Sequence, residues 1–265
     1  MRIPSIVIII ALLLSCCSGV QGKSLIIDEQ LSTDEIDSVR ILMDRGQIKV
    51  TKSADDLIWI NATAQQPDHF TFTQGEGSLE IKNEDSTPED YLHIKIPAGI
   101  ILDIIAFDTN IDLVELEGNT NIRTTAGNIT MLDTIGETYL WAGRGDIKIN
   151  RGEGQAVVIG EHGALTVSEF SGPVSITTIM GHIQFTGIEN NSGDILLEVD
   201  HGSVQAVLPD KTNYQIAVDS ASGDVVCLGG DLQRTITGCT GSTGDGVGIL
   251  RIRTVSGRIE FQILP

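Results

Sequence analysis

The sequence predicts an all-β protein, built as a single-stranded β-solenoid, and three observations support this prediction. Glycine is over-represented, with 29 of 265 residues against an average usage of about 7%. Many of these glycines recur at a fixed spacing, and short runs of alternating apolar and polar residues lie between them. Hydrophobic residues make up 41% of the chain and aromatic residues only 4%, a composition that supplies a core and excludes disorder.

Residues 1–22 are typical of an export signal, because Arg2 is followed by an apolar stretch at 6–14 and then by small residues. The tetrapeptide Leu13-Leu14-Ser15-Cys16 resembles the bacterial lipobox, which predicts acylation of Cys16 and anchoring to the membrane through an N-terminal lipid. Cleavage after Gly22 is the alternative and would give a secreted soluble protein. No later segment reaches about 18 apolar residues, so no transmembrane helix is expected in the mature chain.

Residues 23–100 are predicted to form an N-terminal β cap. They contain five short alternating runs bounded by turn residues, at 46–50, 57–60, 70–72, 78–81 and 93–96. A stack of coils with an open end would expose unpaired backbone groups. We therefore expect these strands to cover one end of the stack.

Residues 101–210 are predicted to form the solenoid repeats. Eight glycines recur every nine residues and are expected to occupy the turns: Gly118, Gly127, Gly136, Gly145, Gly154, Gly163, Gly172 and Gly181. The apolar position comes early after alternate glycines and late after the others, so the full coil has 18 residues and two short strands. Two inward ladders follow, one of Ile122, Leu140, Val158, Ile176 and Leu197, the other of Ile129, Ile147, Leu165, Ile183 and Val204. The residues expected to point outward include Arg123, Lys148, Thr166, Thr177, Gln184 and Glu198. The two sheets of the stack are therefore predicted to have flat, polar outer faces.

Residues 211–265 are predicted to form C-terminal strands, with 251–264 as the final strand at the far end of the stack. Cys227 and Cys239 are the two cysteines outside the export region, and disulfides persist in exported proteins. We expect a disulfide that closes a glycine-rich loop; a pair of free buried thiols is the alternative.

Charge and spacing exclude several kinds of partner. The chain has 17 basic and 36 acidic residues and a net charge of −19, which would repel nucleic acid. The five histidines lack tight ligand spacing, and two carboxylates in the eight positions after the repeat glycines cannot supply a calcium cage. No metal and no cofactor are predicted.

Catalysis is also not predicted. Asp146, Glu161 or Glu169 could serve as acid and base in a polysaccharide-cleaving β-helix, but coils of equal length leave no room for a cleft. Trp141 falls on the outward side of its strand and is a candidate contact residue; packing beneath a neighbouring loop is the alternative.

The order of these segments resembles the bacterial putative-adhesin β-strand-repeat family, a domain of unknown function related to the head-GIN domain. The resemblance rests on residues 46–50, on 93–99, on the Gly-x-Ile-x-Val repeats and on the closing segment 254–259, where Arg258 stands in place of the family's usual Asp. It implies a cell-envelope β-solenoid without established catalysis.

We expect a non-catalytic, exported, lipid-anchored envelope protein with an adhesin-like or structural role and an unidentified protein or glycan partner. It would lie in the bacterial cell envelope, which means the outer membrane or periplasm if the cell is Gram-negative. The alternatives are an envelope-stress or signalling accessory that binds a membrane partner, and a glycan-cleaving enzyme.

Overall fold

The computed structural model describes residues 25–33, 35–64, 69–83, 85–189, 191 and 193–265. The predicted export signal and Cys16 lie outside these residues. Twenty strands form the described part, all in one continuous hydrogen-bonded network, so the predicted all-β class is confirmed. No helix in the described residues is long and apolar enough to cross a bilayer.

The strands fall into three consecutive groups along the chain. The first group comprises β1 (Leu25–Ser32), β2 (Ile36–Lys52), β3 (Leu57–Ala64), β4 (Phe70–Gly75), β5 (Gly77–Asn83) and β6 (Tyr91–Ile96). The second comprises β7 (Ile101–Val114), β8 (Thr120–Ala126), β9 (Ile129–Ile135), β10 (Thr138–Arg144), β11 (Ile147–Glu153), β12 (Ala156–Ser171), β13 (Val174–Thr186) and β14 (Ile195–Pro209). The third comprises β15 (Tyr214–Ser222), β16 (Val225–Leu228), β17 (Gln233–Arg234), β18 (Gly238–Ser242), β19 (Gly248–Ser256) and β20 (Ile259–Leu264).

The middle group pairs in parallel, with each coil placed on the coil that precedes it in the chain. Ile104 pairs with Ile122, and the same column continues through Leu140, Val158 and Ile176 in steps of 18 residues. The second half of each coil forms its own parallel ladder, from β7 through β9 and β11 to β12. The next step, from Ile176 to Leu197, is longer by three residues. Both predicted inward ladders are confirmed, since all ten of their side chains are 0 or 1% exposed.

The chain order and the spatial order differ at both ends. Near the N-terminus, β2 lies between β7 on one side and β5 with β6 on the other. Near the C-terminus, β19 and β20 lie between β14 and the pair β15 and β16. The prediction that residues 251–264 form the last strand of the stack is therefore wrong. The outer coils carry antiparallel strands, with β4 on β5, β3 on β6, and β18 on β15.

The repeat glycines occupy corners at which successive coils touch through their backbones. At Gly145 φ is +134°, and a Cβ atom there would lie 2.1 Å from the carbonyl oxygen of Gly127. A side chain would therefore meet backbone that cannot move without displacing the next coil. The same close approach to the preceding coil recurs at Gly163, Gly181 and Gly202.

A further corner carries a charged residue in place of glycine in four successive coils. Four charged residues with left-handed backbone angles stack at 18-residue intervals, at φ of 54° to 57°: Glu115, Asp133, Arg151 and Glu169. Arg151 donates two hydrogen bonds to the Asp133 carboxylate, at 2.6 and 2.8 Å. These bonds hold the pKa of Asp133 below its usual value. Opposite charge at this corner thus links neighbouring coils.

Candidate interaction face

The first strands of successive coils present an outward surface that we call the apolar face. It consists of the outward side chains of β7 up to Asp108, β8, β10, β12 up to His162, β13 up to Met180, β14 up to His201, and β19. These strands pair in register without a gap. Seven of its large apolar residues are more than a third exposed: Ile101, Ile105, Phe107, Ile179, Met180, Ile249 and Val255. The expectation that both sheet faces are polar is wrong for this one.

The second strands of the coils present the contrasting surface, which we call the polar face. Its central outward column reads Lys49, Asp112, Thr130, Lys148, Thr166, Gln184, Gln205 and Glu260. Beside this column, burial and then the charges of Lys49 and Lys95 lower the pKa of His93. The outward residues predicted from the sequence divide between the two faces, with Arg123, Thr177 and Glu198 on the apolar face.

Trp141 lies half-buried near the middle of the apolar face, between Arg123 of β8 and Ile159 of β12. Its ring extends over Gly143, where a Cβ atom would come within 3.3 Å of the indole. Two positions earlier on the same strand, the Tyr139 ring is covered by the Arg123 guanidinium, 5.5 Å from the ring centroid. The absence of a side chain at Gly143 thus gives the indole room to lie along the sheet.

One edge of the apolar face contains a shallow trough of about 260 Å³. Tyr139 and Val157 form part of its floor, and amide and carboxylate groups form its rim: Asn119, Asn121, Glu137 and Gln155. The rim groups also serve the stack, since Asn119 Oδ1 accepts the Glu137 N–H at 3.1 Å and Asn121 Nδ2 donates to Asp103 at 2.8 Å.

The three carboxylates considered as catalytic groups occupy separate places in the coil. Asp146 accepts the backbone N–H of Ala164, one coil further on, at 2.8 Å. Glu161 lies on the apolar face, and Glu169 lies at the charged corner. Asp146 continues a structural column, because Asn110 and Asn128 accept backbone N–H groups from the next coil in the same way. The sequence contained part of this signal, because Asn128 and Asp146 directly follow the repeat glycines Gly127 and Gly145.

Four histidines, His69, His93, His182 and His201, contact different polar groups. His69 contacts the buried carboxylate of Asp90 at 3.3 Å, and His93 contacts Thr51 Oγ1 at 3.1 Å. His182 and His201 contact serines of the adjacent coil. The described residues contain no group of three or more histidine, cysteine or acidic side chains placed to hold a metal ion.

The pairing of the two C-terminal cysteines agrees with the sequence prediction. Cys227 in β16 and Cys239 in β18 form a disulfide. The disulfide joins β16, the second strand of the outermost coil, to β18, which pairs antiparallel with β15, the first strand of that coil. The bridge thus ties together two elements that belong to different ladders.

Comparison with protein families identifies the group to which this chain belongs. A family model described as Toastrack DUF4097 matches residues 35–261. The chain is a member of the Toastrack family. This confirms the predicted family resemblance, and the family is a domain of unknown function. No match was found among curated proteins.

Solved structures of distant sequences are similar to this chain, and one with a TM-score above 0.5 shows a shared fold. A "putative adhesin" from Bacteroides fragilis is 13% identical, with a TM-score of 0.51, and the match covers 93% of this chain and 100% of that one. A "putative cell adhesion protein" from Clostridium sporogenes is 11% identical, with a TM-score of 0.33 and coverage of 91% and 100%. A "putative lipid binding protein" from Parabacteroides distasonis is 12% identical, with a TM-score of 0.31 and coverage of 91% and 97%.

Proposed function

We propose that this Toastrack protein is an exported, non-catalytic component of the bacterial cell envelope, whose coils form a β-solenoid that presents the apolar face to a protein or glycan partner. The observation that carries the proposal is the apolar face itself. Large apolar patches on a soluble protein mark surfaces of interaction, and this patch lies on paired strands whose backbone is held in place by the stack.

Two further points support an interaction role over a catalytic one. The carboxylates considered for catalysis lie in different columns, and Asp146 is engaged in holding the next coil. The Bacteroides fragilis structure that shares the fold is described as a "putative adhesin", and such a role at the cell surface requires binding but no chemistry.

We further propose that Cys16 carries the lipid anchor. Leu25, where β1 begins, lies nine positions after Cys16, and an extended chain over nine steps reaches at most about 32 Å. The end of the stack that carries β1, β3 and β6 would then face the membrane, with the apolar face running away from it. The domain boundaries at residues 22, 100 and 210 are part of the same proposal.

The proposal is tested on intact cells with the full-length chain. Mass analysis of the mature N-terminus distinguishes an acylated Cys16 from a free Lys23 terminus, and the latter would remove the lipid anchor from the proposal. A photoreactive amino acid at Trp141 should crosslink to an envelope partner, whereas one at Lys148 on the polar face should give much less product. Equal crosslinking from both positions would contradict a role for the apolar face. Turnover of a glycan panel that is lost on changing Asp146, Glu161 or Glu169 would contradict the non-catalytic assignment.

A further inference from the structure

Two pairs of oppositely charged residues on the apolar face are placed symmetrically about β12. Seven strands of this face follow one another in register, and β12 is the fourth of them. In one outward column, Asp103 lies three strands before β12 and Arg251 lies three strands after it. In the next outward column, Arg123 lies two strands before β12 and Glu198 lies two strands after it. Opposite charges thus lie at equal distances on the two sides of β12.

The exposed apolar residues of the two outer strands follow the same symmetry. On β7, Ile101 and Phe107 are 48% and 53% exposed. On β19, the residues in the same two columns are Ile249 and Val255, which are 50% and 52% exposed. Each outer strand therefore carries an exposed apolar residue on either side of a charged residue, Asp103 on β7 and Arg251 on β19. β19 also carries Arg253, in the column of Ile105, and Arg253 pairs with Glu198 and Asp219 of its own chain.

We infer that the apolar face binds a second copy of this chain, face to face, about a two-fold axis that lies over β12 parallel to the strands. This operation places each strand before β12 opposite the strand equally far after β12 in the partner copy, and it keeps every column in place. Asp103 of one copy then faces Arg251 of the other, Arg123 faces Glu198, and Ile101 and Phe107 face Ile249 and Val255. Such an isologous contact forms each of these pairs twice.

The other simple face-to-face arrangement lacks this complementarity. An axis along the stack, over the column that contains Arg123 and Glu198, would place each residue of that column opposite itself. Arg123 would then face Arg123, and Glu198 would face Glu198. The same axis would place Asp103, which Arg40 and Asn121 contact within its own chain, against the apolar ring of Phe107. Facing like charges oppose association. The charge pattern therefore selects the axis parallel to the strands.

Arg123 and Arg251 are available for such a partner, whereas Asp103 lies 3.5 Å from Arg40 of its own chain. Across the part of the chain that the structure covers, no carboxylate lies within ion-pairing distance of Arg123 or Arg251. The molecule has a net charge of −19, so acidic groups are abundant elsewhere. Glu198 makes one long contact, 3.9 Å to Arg253. A second copy would supply both arginines with a carboxylate.

The size of the face indicates a weak, reversible dimer. Seven strands at about 4.8 Å spacing span roughly 30 Å, and the seven residues from Ile101 to Phe107, at about 3.3 Å each, span roughly 23 Å. The projected area is on the order of 700 Å² per copy, below the roughly 800 Å² per partner of a standard specific interface. Glu161 adds to the weakness, because it lies on β12 and faces its own counterpart across the axis. The inference rests on the proposed function in that it takes the apolar face as an interaction surface.

The test uses Ile159→Cys in the full-length chain on intact cells, because Ile159 lies on β12 and would face its counterpart across the axis. Addition of a thiol oxidant should produce a covalent dimer on a non-reducing gel. Thr166→Cys, in the second half of β12 on the polar face, is the matched control and should give little dimer. Absence of dimer from Ile159→Cys, or equal dimer from both positions, would overturn the inference.

Charge exchange in the Ile159→Cys background gives a sharper test. R123E and E198R should each lower the yield of covalent dimer by about tenfold, since each places like charges opposite one another. The double variant R123E/E198R should restore the yield, because the pair is re-formed with its signs exchanged. E161Q should raise the yield. Failure of the double variant to restore the dimer would reject the proposed axis.

The failure of this inference can be distinguished from failure of the proposed function. A photoreactive group at Ile159 that captures a different envelope protein, with no dimer from Ile159→Cys, would reject the self-association and leave the interaction face intact. Capture of neither a second copy nor another molecule would reject both.

Discussion

Between β7 and β13, each coil lies on the coil that precedes it in the chain. After β14 the chain instead forms β15 and β16, followed by the β17–β18 hairpin. It then returns, and β19 and β20 lie between β14 on one side and the pair β15 and β16 on the other. The contacts differ accordingly. The middle coils are joined by contacts that repeat every 18 residues, such as glycine corners and side-chain oxygens that accept the next coil's N–H.

The C-terminal end is held by contacts that occur once. The Tyr214 hydroxyl donates to the Gly193 carbonyl at 3.0 Å, Asp194 accepts the Ile249 N–H at 2.9 Å, and the disulfide joins β16 to β18. A repeated sequence can specify neighbours that are always one repeat apart. An inserted coil needs particular side chains to fix its position, and these are what the C-terminal end supplies.

The largest expected effect is the loss of a corner in the middle of the stack. Gly145→Ala places a Cβ atom 2.1 Å from the Gly127 carbonyl oxygen at φ of +134°. We expect the free energy of unfolding to fall by about 4 kcal/mol, from backbone strain together with displacement of the adjacent coil. Chemical denaturation followed by circular dichroism measures this loss.

Gly99→Ala is the matched control for this substitution. Gly99 has φ of +87°, and nothing lies within 4 Å of a Cβ atom there. It should therefore show backbone strain alone, about 1–2 kcal/mol. If both variants lose the same free energy of unfolding, the close approach of the coils at Gly145 does not constrain this position.

The second effect concerns the C-terminal end. Replacing both Cys227 and Cys239 with alanine removes the crosslink between residues 12 apart in sequence, which should cost about 3 kcal/mol. Hydrogen exchange should accelerate in β16, β17 and β18, while exchange in β8 and β10 stays close to that of the unchanged protein. Uniform acceleration across the molecule would instead mean that both regions unfold as one unit.

These differences explain which parts of the fold could be predicted from the sequence. Alternation around Leu140 and Leu165 identified the inward side of each strand, because burial of one face of a strand imposes a period of two. The position of β19 could not be read in the same way. Its partner in β14 lies 55 residues away in sequence, as in the pairing of Leu197 with Ile252, and no local pattern encodes that distance.

The apolar face was missed for a related reason. In the run Val157-Val158-Ile159 the sequence is apolar on both sides of the strand, and Ile104-Ile105 shows the same feature. The predicted inward ladder contains Val158, whose neighbours Val157 and Ile159 point outward and are also apolar. Strands that are apolar on both sides are those covered on both faces, which is the signal that could have identified this surface.

The third effect is a pH dependence confined to the C-terminal end. Burial, with a smaller contribution from the charge of Asp194, raises the pKa of Tyr214 to about 12, against about 10 in an unfolded chain. Above pH 10 the unfolded chain releases this proton while the folded chain keeps it. The free energy of unfolding should therefore be unaffected below pH 10 and should fall as the pH rises towards 12, by up to about 2.7 kcal/mol.

Tyr214→Phe separates this contribution from that of the other tyrosines. At neutral pH the variant should lose about 1 kcal/mol with the hydrogen bond to Gly193, and between pH 10 and 11.5 its stability should fall less steeply than that of the unchanged protein. Parallel curves for the two proteins in denaturant titrations over this range would show that Tyr214 does not hold its proton in the folded state.

The smallest effect returns to the repeated contacts of the middle coils, at a residue that was also a candidate catalytic acid. Asp146 Oδ1 accepts the Ala164 N–H at 2.8 Å. Asp146→Ala leaves that N–H without its partner and should cost about 1 kcal/mol. Asp146→Asn keeps an oxygen in the same place, as Asn128 does one coil earlier, and should change the free energy of unfolding by less than about 0.5 kcal/mol. Equal losses in the two variants would mean that the carboxylate charge, and not the repeated hydrogen bond, is what the coil requires at this position.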